Sequence, residues 1–115
     1  TMVNRSGELQ QTVTPRFRGG EGYARLRDLT AGKKPQNVRV FSEMTLEKGC
    51  SIGAHTHTDD SEVIYILRGR GVYEDNGAAV AVGAGDTLIA YAGDSHSLRN
   101  ESDEPLTYLA VIVKA

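Results

Sequence analysis

The sequence predicts an all-β domain, and three observations carry that prediction. Turn-forming residues recur roughly every eight positions between runs of β-branched and aromatic side chains. No stretch holds a sustained 3.6-residue apolar period. Glycine occupies 13 of 115 positions against only three prolines; that usage exceeds the ~7% average and suits short strands joined by tight turns. Trp is absent and Phe17 and Phe41 are the two phenylalanines, so the core falls to Val, Ile, Leu, Ala and Tyr.

Residues 1–20 are polar and unpatterned and read as an extended or partly ordered arm. Gly22–Leu29 is a short strand candidate, followed by a loop over Thr30–Asn37 that holds Gly32 and Pro35. In the next strand Val38, Val40, Met44 and Leu46 share one parity, interrupted by Ser42. Glu47-Lys48-Gly49 turns the chain into a strand over Ser51–His57, and Thr58–Ser61 is a turn of the residues that hydrogen-bond their own backbone. Glu62–Leu67 is a β-branched and aromatic run closed by Arg68-Gly69. Asn76-Gly77 between Gly71–Glu74 and Ala79–Val82 is a hairpin signal, since both residues tolerate the positive φ of a tight two-residue turn. Thr87–Tyr91, His96–Asn100 and Leu106–Lys114 complete a series that reads as a sandwich or barrel.

At 115 residues the chain is one domain, able to bury a core without staples. A net charge of −2 leaves no basic footprint for nucleic acid. No apolar run approaches the roughly 20 residues of a membrane-spanning helix, so no membrane partner is expected. The first residues lack the apolar stretch of a signal peptide, and a lone cysteine, Cys50, forms no internal disulfide; both fit a cytoplasmic location. Cys50 reads as a small buried hydrophobe rather than a reactive thiol.

All three histidines, His55, His57 and His96, fall into one constellation with Glu62. On a strand, residues two apart share a face about 6.6 Å apart, so His55 and His57 converge while Thr56 points away. The turn after His57 is expected to return the chain antiparallel, with Glu62 facing His57 across a hairpin. His96 arrives from a distant strand beyond a turn allowed by Gly93. Three imidazoles and a carboxylate hold a divalent transition metal and leave coordination positions open. Asp59 and Asp60 sit at the turn tip, where a solvated turn role outweighs ligation.

These two blocks, Gly49, His55, His57, Glu62 and Gly69, then Gly85, Gly93, His96 and Asn100, resemble the two motifs of the cupin superfamily. Tyr91 stands where the second motif usually has proline, a turn position rather than a ligand. The resemblance covers residues 38–113. It implies a single-domain double-stranded β-helix, a jelly-roll barrel, over residues 21–115, with motifs at 49–69 and 85–100 and the arm at 1–20. It further implies one divalent metal per chain on His55, His57, Glu62 and His96, with Mn or Fe favoured and Zn, Ni or Co also accommodated.

The phrasing around His55, the Asp-Asn-Gly hairpin and the closing Leu-Ala-Val-Ile are similar to small single-domain cupins of the oxalate decarboxylase-like group. The oxalate-degrading members place Arg or Asn three positions before the first histidine, where this chain has Ile52; Arg25, Arg27 or Arg39 would have to reach in instead. Parity places Ile64, Ile66 and Leu98 inside, an apolar pocket lining to which Tyr73 and Tyr91 are further candidates. No catalytic acid or base is assigned, and Asn100 is expected to hydrogen-bond within the barrel.

The leading expectation is a metal-dependent enzyme on a small carboxylate- or hydroxyl-bearing metabolite, by lyase, isomerase or oxygenase chemistry. The alternative is a non-catalytic metabolite-binding or sensing module with a structural metal. Val63, Tyr65 and Leu67 form an outward apolar stripe that predicts a homodimer, with the segment Gly22–Leu29 offering a strand to the partner's sheet.

Overall fold

The computed structural model describes residues 2–114; Thr1 of the arm and Ala115 of the barrel lie outside them. Ten strands form two antiparallel sheets. They are β1 (Gln11–Pro15), β2 (Tyr23–Asp28), β3 (Val38–Leu46), β4 (Ser51–Thr56), β5 (Asp60–Arg68), β6 (Arg70–Asp75), β7 (Ala78–Gly83), β8 (Thr87–Ala90), β9 (Ser95–Arg99) and β10 (Leu106–Lys114). One sheet runs β1-β2-β3-β10-β5-β8 and the other β4-β9-β6-β7. The all-β jelly-roll architecture expected from the sequence is the one found.

The alternation of side chains along each strand decides what lies between the sheets. On β5, Glu62, Ile64 and Ile66 are buried, while Val63, Tyr65 and Leu67 face outward. On β10, Leu106, Tyr108, Ala110 and Ile112 are buried. Each fully buried Leu or Ile contributes about 1.5–3 kcal/mol relative to an exposed one. Asn100 is the polar member of this core: its amide donates to the carbonyls of Leu46 (2.9 Å) and Glu104 (2.7 Å), and its carbonyl accepts from Ser102 N–H (2.9 Å). It thereby ties the ends of β3 and β9 to the turn before β10.

The Asn76-Gly77 hairpin forms between β6 and β7, both residues at positive φ (49° and 90°). The expected hairpin between β4 and β5 does not. β4 pairs with β9, and β5 pairs with β10 and β8, so the turn after His57 carries the chain from one sheet to the other. Glu62 faces His57 across the barrel interior. Local polarity reads the same for a hairpin and for a sheet-to-sheet crossing, which is why the spacing alone misassigned the turn.

Two further differences concern the N-terminus. Part of the arm is paired: Gln11–Pro15 forms β1 against β2, and Phe17–Gly19 makes a single 3₁₀ turn. The Tyr23–Asp28 strand is sandwiched between β1 and β3 of its own sheet, so it has no free edge to lend a partner. No helix among the described residues is long and apolar enough to cross a membrane.

Candidate metal centre

His55 on β4 and His96 on β9 are register partners across two hydrogen-bonded strands. His57 follows the end of β4, held by a backbone exchange with the β8–β9 turn: its N–H donates to Asp94 O (3.0 Å) and its carbonyl accepts from Gly93 N–H (2.5 Å). Glu62 comes from β5 of the opposite sheet. The four ligand atoms all lie within 4.8 Å of one another. His57, Glu62 and His96 are buried, and His55 lies half-buried toward the mouth.

The far ring nitrogen of each imidazole is engaged. His55 Nδ1 lies 2.9 Å from Gly53 O, His57 Nδ1 2.7 Å from Asp60 Oδ1, and His96 Nδ1 2.8 Å from Tyr73 Oη. A carbonyl and a carboxylate only accept, so Nδ1 of His55 and His57 carries the proton and donates. Their Nε2 lone pairs therefore point inward. Asp60 is thus the orienting partner of His57, a role beyond the solvated turn position expected of it; its place three residues after His57 was the available signal.

Inside, His96 Nε2 is 3.0 Å from His57 Nε2, 3.1 Å from His55 Nε2 and 2.9 Å from Glu62 Oε1. His57 Nε2 is 3.0 Å from the same oxygen, and His55 Nε2 is 4.0 Å from it. Acceptor atoms this close repel unless a cation or proton lies among them. Adjacent corners of an octahedron with bonds of about 2.1 Å stand about 3.0 Å apart, against about 3.4 Å for a tetrahedron of the same bond length. The spacing, donor chemistry and outer hydrogen bonds all fit a divalent metal.

Burial holds the His55 imidazole's pKa below its ordinary value, assisted by the charges of His96 and Arg18. Burial pushes the Tyr73 phenol up to about 12, and the wholly buried Tyr108 phenol well above the usual value. Both tyrosines stay protonated in any neutral solution.

A cavity of about 500 Å³, its open mouth included, adjoins the four residues and is lined mostly by apolar side chains. Ile64 and Leu98, placed inward by parity, line it, as does Tyr73, a further candidate. Ile66 does not: it is fully buried in the core one turn of the pleat further along β5. Tyr91 does not either, being 65% exposed on the turn after β8. Its aromatic character suggested a pocket role that its turn position denies.

Arg25 pairs with Glu47, Arg27 with Glu43 and Arg39 with Asp60, so none of the three supplies the polar group missing at Ile52. Ile52 itself lines the cavity. Tyr108 and Arg18 are among the lining residues that were not anticipated. Tyr108 shares the inward parity of Ala110 and Ile112 on β10, a signal present in the sequence; Arg18 stands in the unpatterned arm, where no periodicity marks it.

Residues 42–112 match the Cupin domain family. Over 113 residues the chain is 39% identical to the oxalate-binding protein of Thermotoga maritima, a match covering 97% of this chain and 93% of that protein. The fold superposes on the crystal structure of a predicted oxalate decarboxylase from Thermotoga maritima with a TM-score of 0.91, at 37% identity and covering 99% and 100% of the two chains. It also superposes on a sugar phosphate isomerase from Silicibacter pomeroyi with a TM-score of 0.80, covering 99% of this chain and 76% of that one; at 19% identity this is a likeness of fold.

Proposed function

The chain belongs to the cupin family, and on that premise we propose that it binds a small carboxylate- or hydroxyl-bearing metabolite directly on a divalent transition metal held by His55, His57, Glu62 and His96. The observation that carries this reading is the convergence of four ligand atoms, outer nitrogens engaged and lone pairs inward, at the floor of an apolar cavity. The similarity to an oxalate-binding protein supports a carboxylate as the ligand. Spacing near 3 Å and the presence of a carboxylate favour Mn²⁺ or Fe²⁺, with Zn²⁺, Ni²⁺ and Co²⁺ also accommodated by the donors.

The metal would supply Lewis acidity to a chelated oxygen. The protein's part is to fix the imidazoles through Gly53, Asp60 and Tyr73, and to exclude water with Ile52, Ile64 and Leu98. Lyase, isomerase or oxygenase turnover is the catalytic form of this reading. The non-catalytic form, a binding or sensing module, is favoured by one observation. Among the described cavity-lining residues Glu62 is a ligand, Tyr73 is bound to His96 and Tyr108 stays protonated, so no side chain is left as a free base.

The test loads the protein with Mn²⁺, Fe²⁺ or Zn²⁺ and measures binding and conversion of oxalate, glycolate and 2-keto acids. Metal-dependent binding is expected, and His96→Ala is expected to abolish both metal uptake and metal-induced stabilisation. At a metal concentration about 1,000 times Kd that stabilisation is about 4 kcal/mol. A His96→Ala protein that keeps one tightly bound ion overturns the reading.

We also propose a homodimer in the cytoplasm. Phe41, Val111, Val63 and Ile89 are successive register partners across β3, β10, β5 and β8, forming an apolar row on the outer face of the larger sheet. Tyr65 and Leu67 extend it along β5.

A further inference from the structure

Besides Ser97, two polar groups of the cavity have no role in holding the imidazoles. The first is Tyr108 Oη, which is wholly buried on β10 and has no hydrogen-bond partner in the protein. Buried hydroxyls are rarely left so, and one that lines a cavity is a group for a ligand to meet. The second is the Arg18 guanidinium. It lines the same cavity, rests over the Phe17 ring at 5.8 Å, and forms no ion pair among the described residues.

Arg18 is held in place by backbone packing. It sits at positive φ (53°) in the 3₁₀ turn Phe17–Gly19, which lies against β4. A Cβ on Gly53 would overlap the Arg18 carbonyl oxygen, and one on Gly20 would overlap the Ser51 carbonyl oxygen. Arm and strand therefore meet at two glycines that leave no room for side chains. The arm thus brings a cation to the cavity whose strand position, Ile52, carries none.

Charge balance then selects the ligand. A divalent ion, Arg18 and the Glu62 carboxylate sum to two positive charges around an apolar cavity, with Asp60 and Arg39 neutralising each other outside it. Uncompensated charge in such surroundings is costly. A dianion cancels it, whereas a monoanion leaves one charge over and a neutral sugar leaves two.

We propose that the ligand of this site is a small dicarboxylate, its metal-distal carboxylate bound by Arg18 at the cavity mouth and one of its oxygens accepting a hydrogen bond from Tyr108 Oη. The proposal rests on the metal-centred reading above and names the ligand class of that site. Arg18 and Tyr108 are then specificity-determining residues supplied by the arm and by β10.

Isothermal titration of Mn²⁺-loaded protein with oxalate, the smallest dicarboxylate, and with the monocarboxylate lactate tests it. Arg18→Gln is expected to keep full metal content, to weaken oxalate by about 10- to 100-fold, the worth of a charge-assisted pair, and to change lactate by less than about 3-fold. Arg18→Lys recovers part of the loss, since the charge returns without the planar fork. Tyr108→Phe is expected to weaken oxalate by about 3- to 10-fold, the worth of one hydrogen bond. Gly20→Ala, which leaves every cavity side chain intact, is expected to reproduce the Arg18→Gln pattern by displacing the arm. Equal oxalate affinity in Arg18→Gln and the unsubstituted protein removes Arg18 from the site while leaving the metal-centred reading intact; an unchanged Tyr108→Phe removes Tyr108. If the unsubstituted, metal-loaded protein binds neither acid, the carboxylate reading falls and this inference with it.

Discussion

His57 and Asp60 are joined by a 2.7 Å bond from imidazole Nδ1 to carboxylate, three residues apart on the turn that crosses between the sheets. Asp60 also accepts from Arg39 at 3.2 Å, so the carboxylate is held on two sides. A carboxylate behind a ligand imidazole fixes its tautomer and raises its basicity.

Asp60→Asn is therefore expected to weaken metal affinity by about 10- to 100-fold with the fold intact, measured by competition with a chelating dye and checked by far-UV circular dichroism. Removing Arg39 instead is expected to cost less than about 1 kcal/mol in stability, since that ion pair is half-exposed. Unchanged affinity in Asp60→Asn contradicts the orienting role.

Asn100 holds stability rather than chemistry. Its substitution by alanine removes the amide that donates to the carbonyls of Leu46 and Glu104 and the carbonyl that accepts from Ser102 N–H, in a site 1% exposed. A loss of about 2–4 kcal/mol is expected in urea unfolding, with the affinity of the folded protein for metal unaltered. A loss under about 0.5 kcal/mol contradicts the network.

The buried phenols set an alkaline limit. Their folded pKa values lie above the unfolded value, at about 12 for Tyr73 and well above the ordinary phenol value for Tyr108. The unfolded chain gives up these protons first, near pH 10. The stability they contribute is complete below that pH and is lost as pH rises toward 12 and beyond. Thermal midpoints measured from pH 9 to 12 are expected to fall steeply, and Tyr108→Phe is expected to flatten that limb. A slope identical to that of the unsubstituted protein counts against the assignment.

The outer apolar row predicts association. Sedimentation at micromolar concentration is expected to give a dimer, and Val63→Glu or Tyr65→Glu a monomer with unchanged metal affinity. A monomer before substitution rejects the interface.

Strand order in the chain, the Asn76-Gly77 hairpin and the inward parity of Ile64 and Leu98 were all legible, because each depends on residues within one strand or turn. The partnership of β4 with β9 was not, and neither was Asp60's role, since both depend on which sheet a strand joins after a turn. Tyr91 shows the same limit from the other side: chemistry alone made it a pocket candidate, and its place on an exposed turn removes it.

By itself the sequence determined the β architecture and singled out the four candidate ligands, because alternation and turn chemistry are local and because every histidine of the chain falls in one pattern. Only the tertiary structure decided what surrounds those ligands: Asp60 and Tyr73 behind the imidazoles, Tyr108 in the wall, Arg18 at the mouth. The reason is physical. The candidate ligands are a few residues of distinctive type that a sequence displays directly, whereas their outer partners and the cavity are assembled by pairing across two sheets and an arm distant in sequence.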